Sequence, residues 1–168
     1  ATAIGNNVTV IGYSALSGAT TIPAGSLAIG EYTSAGSTTT NSNIMVGGFS
    51  GQNISGTGEN VGFGYGVLQN ATSANNNYVF GDGILTSSST TSFNNVFGRN
   101  VMIGATGATY NIVFGNFTGA ALSTSKNIIL GSNSANATSG SGYNIWLGDA
   151  NSVKSSGTSQ IHQGRESG

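Results

Sequence analysis

Apolar residues in this chain recur in short alternating phrases rather than in helical stripes. The five-residue phrase Asn-apolar-x-apolar-Gly stands at Asn43 to Gly47, Asn77 to Gly81, Asn111 to Gly115, Asn127 to Gly131 and Asn144 to Gly148. Its glycine keeps a near-constant beat. Gly30, Gly47, Gly64, Gly81, Gly98 and Gly115 are each 17 apart, and Gly131, Gly148 and Gly164 follow at 16, 17 and 16. A fixed short period is the signature of one unit stacked on itself. The spacing predicts an all-β fold, a parallel β-roll or β-helix of about ten rungs, forming a rod on the order of 50 Å at the usual strand spacing.

With the glycine as position zero, position −1 reads Ile29, Val46, Phe63, Phe80, Phe97, Phe114, Leu130, Leu147, and position −3 is mostly Leu, Ile, Val or Tyr. Alternate bulky residues define one strand face, and that face is expected inside. Position −2 points the opposite way, yet it carries Val79, Val96, Val113, Ile129 and Trp146. A strand apolar on both faces needs cover on both. Position −2 is therefore expected to form the subunit interface of a parallel homotrimer, the alternative being that it faces a second strand of the same rung.

A shorter strand is expected after the glycine, as in Gly64 to Leu68, Gly81 to Leu85 and Gly98 to Met102. The Ser-, Thr-, Asn- and Gly-rich stretches 37–42, 70–76, 86–92 and 136–142 read as return loops. The glycines suit corners that demand positive φ or close backbone approach. The asparagines at −4, Asn43, Asn60, Asn77, Asn94, Asn111, Asn127 and Asn144, suit a hydrogen-bonded column along the rod. The repeats are assigned to residues 1–158, and residues 159–168 read as a polar C-terminal tail.

Composition narrows the chemistry. With four basic and five acidic residues the net charge is −1, so no basic patch exists for nucleic acid. There is no cysteine for a disulfide, a thiolate metal site or a nucleophile. No apolar run approaches the roughly 20 residues that span a bilayer, so no membrane insertion is expected. The acids Glu31, Glu59, Asp82, Asp149 and Glu166 fall on different rungs. Asp82 and Asp149 share a phase but lie four rungs apart, about 19 Å, beyond the roughly 6.5 to 9.5 Å of an inverting glycosidase pair. The expectation is a non-enzyme without cofactor or metal. The one histidine, His162, falls at position −2, where three copies could meet on an axis.

Exposed aromatics are the stronger signal. Position −5 carries Phe93, Tyr110 and Tyr143, with Lys126 between the two tyrosines, and Tyr13, Tyr32, Phe49, Tyr65 and Phe117 follow the corner glycines. Flat apolar rings among amides and hydroxyls suit a sugar ring. Phe93, Tyr110, Tyr143 and Lys126 are thus the candidate ligand-binding residues, the alternative being that the rings cover neighbouring rungs.

The phrases Thr2-Ala3-Ile4-Gly5-Asn6-Asn7, Thr9 to Leu16 and Leu27-Ala28-Ile29-Gly30 resemble the repeats of bacteriophage tail-fibre or receptor-binding proteins and of the β-roll heads of trimeric autotransporter adhesins. The resemblance covers Ala1 to about Val153. It implies a trimeric β-roll that works by surface recognition. The 17-residue period and the four phenylalanines at −1 lean towards the fibre group, because the adhesin heads favour a shorter, Ala-rich period. Gln160 to Gly168 is similar to the stretch upstream of the self-cleaving chaperone of endosialidase-type fibres. The resemblance implies a virion protein that binds a bacterial surface polysaccharide or outer-membrane protein. The alternatives are an adhesin head on a bacterial surface that binds host matrix, or a fibre shaft with no ligand.

Overall fold

The computed structural model describes residues 3–34, 37–39, 42–56, 58–134, 142–149 and 159–163. The strands are β1 (Ala3–Ile4), β2 (Thr9–Ile11), β3 (Thr21–Ile22), β4 (Leu27–Ile29), β5 (Thr38–Thr39), β6 (Ile44–Val46) and β7 (Ser55–Gly56). They continue with β8 (Val61–Phe63), β9 (Tyr78–Asp82), β10 (Asn95–Arg99), β11 (Ile112–Asn116), β12 (Ile128–Leu130), β13 (Ile145–Leu147) and β14 (Ile161–Gln163). They form a parallel β-solenoid of about eight turns. One wall is a ten-stranded sheet in the order β14-β13-β12-β11-β10-β9-β8-β6-β4-β2, and β1, β3, β5 and β7 make a second, four-stranded sheet. Register follows the repeat: Val79, Val96, Val113, Ile129 and Trp146 lie in one column, and Phe63, Phe80, Phe97, Phe114 and Leu130 in the adjacent one, on the opposite face.

The two faces of this sheet are the reverse of the expectation. Val79, Val96, Val113, Ile129 and Trp146 are 0% exposed within a single chain, so they are core and cannot form a subunit interface. Positions −3 and −1 point outward: Ile44, Phe63, Tyr78, Ile112, Phe114, Ile128 and Leu130 are all exposed. Parity explains the inversion. The asparagine at −4 is buried, and in a strand it shares its face with −2 rather than with −3 and −1. Volume agrees. A coil of about 17 residues encloses a narrow interior, tight enough that a Cβ at Gly62 would meet Met45 Sδ at 2.8 Å and Val67 Cγ2 at 3.0 Å. A phenylalanine does not fit at that rung, although the same column takes in Trp146 further along.

The asparagine column ties the walls together. From Asn43 to Asn111 each Oδ1 accepts from the backbone N–H and side-chain Nδ2 of the next asparagine, as Asn94 does from Asn111 at 3.0 Å each. Nδ2 also donates across the interior to the return segment: Asn77 to the Thr91 carbonyl at 3.0 Å and Asn94 to the Ala108 carbonyl at 2.9 Å. The buried amides are thus satisfied while bridging opposite sides of the coil.

Among the described residues the second strand expected at Gly64 to Leu68, Gly81 to Leu85 and Gly98 to Met102 is absent. In β9, β10 and β11 the strand runs one residue past it, and the chain then turns. Leu68, Leu85 and Met102 take positive φ (55°, 53° and 54°). This breaks strand alternation, so that the consecutive pairs Val67-Leu68, Ile84-Leu85 and Val101-Met102 all point inward and are 0% exposed. The return segments are not open loops. They stack through parallel bridges such as Thr72↔Ser89↔Thr106 and Asn75↔Ser92↔Thr109, and they contribute Ile54, Ala71, Ala74, Ala105, Ala108 and Leu122 to the core. The corner glycines behave as their spacing suggests. Gly98 has φ +142°, and a Cβ there would overlap the carbonyl oxygen of Gly115 on the next rung.

Strand β14 pairs with β13, Trp146 opposite His162, so the sheet runs into the segment assigned to the tail. The His162 ring stacks over Trp146 at 5.4 Å between centroids and 12° between planes. Gly164 and the rest of 164–168 lie outside the described residues, as does most of the 136–142 return stretch.

Candidate functional site

The rim where the return segment enters the long sheet carries the aromatic column at −5. Glu59, Asn76, Phe93, Tyr110, Lys126 and Tyr143 all adopt positive φ, between 53° and 66°. A non-glycine residue in this conformation is disfavoured by about 1 kcal/mol or more. Here the turn aims the following asparagine into the core and throws the −5 side chain outward. Its backbone N–H is nonetheless satisfied, as in Phe93 N–H to Asn75 O at 3.0 Å and Tyr110 N–H to Ser92 O at 3.1 Å.

The four candidate residues do not share one platform but fall into two pairs. Phe93 and Tyr110 stack face to face at 4.8 Å and 2°. Lys126 turns the other way along the column: its Nζ donates to Tyr143 Oη at 2.6 Å and lies 4.8 Å from the centre of that ring. The hydrogen bond that it donates to the Tyr143 hydroxyl, and then the charge interaction with that group, hold the Lys126 ammonium above the usual lysine range. Tyr143 and Lys126 therefore form a pair of their own, one rung removed from the Phe93–Tyr110 stack.

Stacking at the rung spacing means that rings cover one another's faces. A free face is left only where a large residue meets a small one. The Phe93–Tyr110 stack has two such ends: beyond Tyr110, Lys126 turns away to Tyr143, and before Phe93 stands Asn76. A shallow, open concavity of about 410 Å³ lies there, lined by Asn76, Tyr78, Phe93, Asn95 and Tyr110. The Tyr78, Phe93 and Tyr110 rings are 50%, 45% and 54% exposed, and Asn76 is oriented by donating Nδ2–H to Glu59 Oε2 at 2.9 Å. The lining carries the Phe93 ring, two amides and the two phenol hydroxyls of Tyr78 and Tyr110, with no charged residue. Reading position −3 as inward hides Tyr78 and Asn95; the outward parity of that column is the signal that finds them.

Other columns are spent on the fold itself. Tyr13, Tyr32, Phe49 and Tyr65 form a second ladder, with centroids 5.2 to 5.5 Å apart, in which Tyr32 and Phe49 stack while Tyr13 meets Tyr32 edge-on and Tyr65 is tilted 60° to Phe49. The carboxylates are dispersed among separate partners: Asp82 on Arg99 at 3.4 Å, Asp149 accepting from the Ser132 N–H at 2.8 Å, and Glu59 on Asn76. Among the described residues no group of three His, Cys, Asp or Glu could hold a metal ion. The glycine column (Gly30, Gly47, Gly64, Gly81, Gly98, Gly115, Gly131, Gly148) and the asparagine column serve the solenoid's backbone and interior.

Comparison with family models, with curated proteins and with solved structures finds no match to this chain.

Proposed function

We propose that this chain is the non-catalytic receptor-binding part of a bacteriophage tail fibre, acting as a parallel homotrimer that recognises a polysaccharide or outer-membrane protein on a bacterial surface. The free face of Phe93 in the Asn76–Tyr78–Asn95 groove carries the reading. A pyranose ring stacks an apolar face on an aromatic side chain while its hydroxyls exchange hydrogen bonds with amides and a phenol. A polysaccharide is thus the occupant that the groove favours over a protein. The site needs no closing lid, because its residues stand on a hydrogen-bonded ladder that is already rigid, which limits the ordering cost of binding. Three copies side by side would multiply weak contacts with a repeating glycan.

The test is binding of fluorescently labelled protein to a panel of bacterial strains, including mutants stripped of surface polysaccharide. The expected result is strain-selective labelling that vanishes with the polysaccharide and weakens about tenfold or more, about 1.4 kcal/mol, for Phe93→Ala and for Tyr78→Ala. Tyr143→Ala should retain binding, since its ring is engaged by Lys126. Labelling that survives loss of polysaccharide but not of an outer-membrane protein would move the receptor to that protein. No labelling of any strain would overturn the reading.

A further inference from the structure

We infer that a second copy of this chain docks on the outward face of the long sheet, along the columns at positions −3 and −1. The inference rests on the assembled state proposed above and not on the sugar groove, so the two fail separately. Across eight consecutive strands, β4 to β13, neither column contains a charged residue. Polar interruptions are confined to Tyr78 and Asn95, where the groove opens at the rim of the face. Elsewhere Ile44, Phe63, Ile112, Phe114 and Leu130 stand 36 to 43% exposed although they are the bulkiest apolar side chains of the repeat. The rings of Phe63, Phe80, Phe97 and Phe114 stack at 5.2, 4.9 and 4.6 Å, within 6° of parallel, and present a straight ridge flanked by the aliphatic −3 column.

Size and pattern together select the occupant. Eight strands span about 38 Å, and two outward columns with their side chains are about 14 Å wide, giving about 500 Å² per copy before side-chain relief is counted. Two such faces bury about 1,000 Å², the lower bound for a specific stable interface. A contiguous apolar patch of that size is at the upper end of what soluble monomers leave bare. A partner must match a ridge and furrow that repeat at the rung spacing along the whole face, and a second copy has that same spacing built in. No charge needs to be paired or desolvated when the faces meet.

Sedimentation velocity at micromolar concentration tests this on the full chain. The wild type is expected at a multiple of 16.7 kDa, and Phe97→Lys/Ile112→Lys at the monomer mass with unchanged far-ultraviolet circular dichroism, because both side chains point outward. Should the double variant misfold, Phe97→Cys and Thr106→Cys, made in a chain that has no cysteine, replace it. Thiol labelling at position 97 is expected to be at least tenfold slower than at 106, which lies on the return ladder, and to speed up on dilution to monomer. A monomeric wild type overturns the inference. So does an oligomer indifferent to the lysine pair, or equal labelling at 97 and 106.

Discussion

Val96 and Phe97 are adjacent, both apolar, both in the middle of β10, and both repeated up and down the rod, yet they have opposite fates. Val96 is wholly buried between Val79 and Val113, whereas the Phe97 ring lies outside, stacked between Phe80 and Phe114. Hydrophobicity does not distinguish the two columns, and the larger side chain is the one left out. The difference is decided by the neighbours that share each parity. Val96 shares its face with Asn94, whose amide must be enclosed to bridge the coil, and at these rungs the enclosed space is already filled by the pairs Ile84-Leu85 and Val101-Met102. In a solenoid, the small apolar column marks the interior, and the large one marks what lies outside.

The strongest way to break this comparison is to attack what assigns the parity. Asn94→Leu removes an amide that accepts from Asn111 and donates to Asn77 and to the Ala108 carbonyl, all in buried surroundings. Each stranded buried partner costs about 1 to 3 kcal/mol. A loss above about 4 kcal/mol is therefore expected, read as a shift of the urea midpoint. A variant as stable as the wild type would show that the ladder does not hold the walls together.

Next in size comes the pair itself. Val96→Ala should cost about 2 kcal/mol, because the backbone ladder above and below prevents the cavity from collapsing. That cost should be independent of protein concentration. Phe97→Ala removes far more surface but from an outward site, so the isolated chain should lose less than about 1 kcal/mol. What it should lose is the concentration dependence of the melting temperature, since linkage to assembly acts only through the associated state. Equal, concentration-independent effects would erase the distinction between the columns.

Much of this architecture is legible in the sequence, and the failures have physical causes. The period, the all-β class and the stacking of like residues follow from the spacing of Gly81, Gly98 and Gly115 and from the asparagine that precedes each. The asparagines also held the answer to which face is inside, because a buried hydrogen-bonded column fixes the parity of everything two residues away. Bulk at −1 outweighs that clue when residues are ranked by hydrophobicity alone. The corner after the glycine was not legible, because Leu68, Leu85 and Met102 hold a left-handed conformation that local preference opposes and only the packed interior supports. Phe93 and Tyr110 stand out as exposed rings from sequence. The groove does not, because it exists only where Asn76 leaves one face of Phe93 uncovered and Tyr78 stands beside it on the outward parity.

The smallest expected effect belongs to an outward contact that is open to water. The Tyr143 hydroxyl raises the pKa of Lys126 by accepting a hydrogen bond from its ammonium. A folded-state pKa above the unfolded value means that the pair stabilises the fold fully below about 10.5, and that this contribution fades as pH rises through the raised folded value. Tyr143→Phe should return the Lys126 titration, followed by NMR of the Cε and Nζ nuclei, towards the ordinary lysine value. Because the ammonium is fully exposed and screened, the urea midpoints of wild type and variant should differ only slightly at pH 9. They should converge once the pH exceeds the folded value. A midpoint difference as large as that of Val96→Ala would mean that outward ladder contacts hold the coil as firmly as the core, and the division between the two faces would then be one of position without a corresponding division of energy.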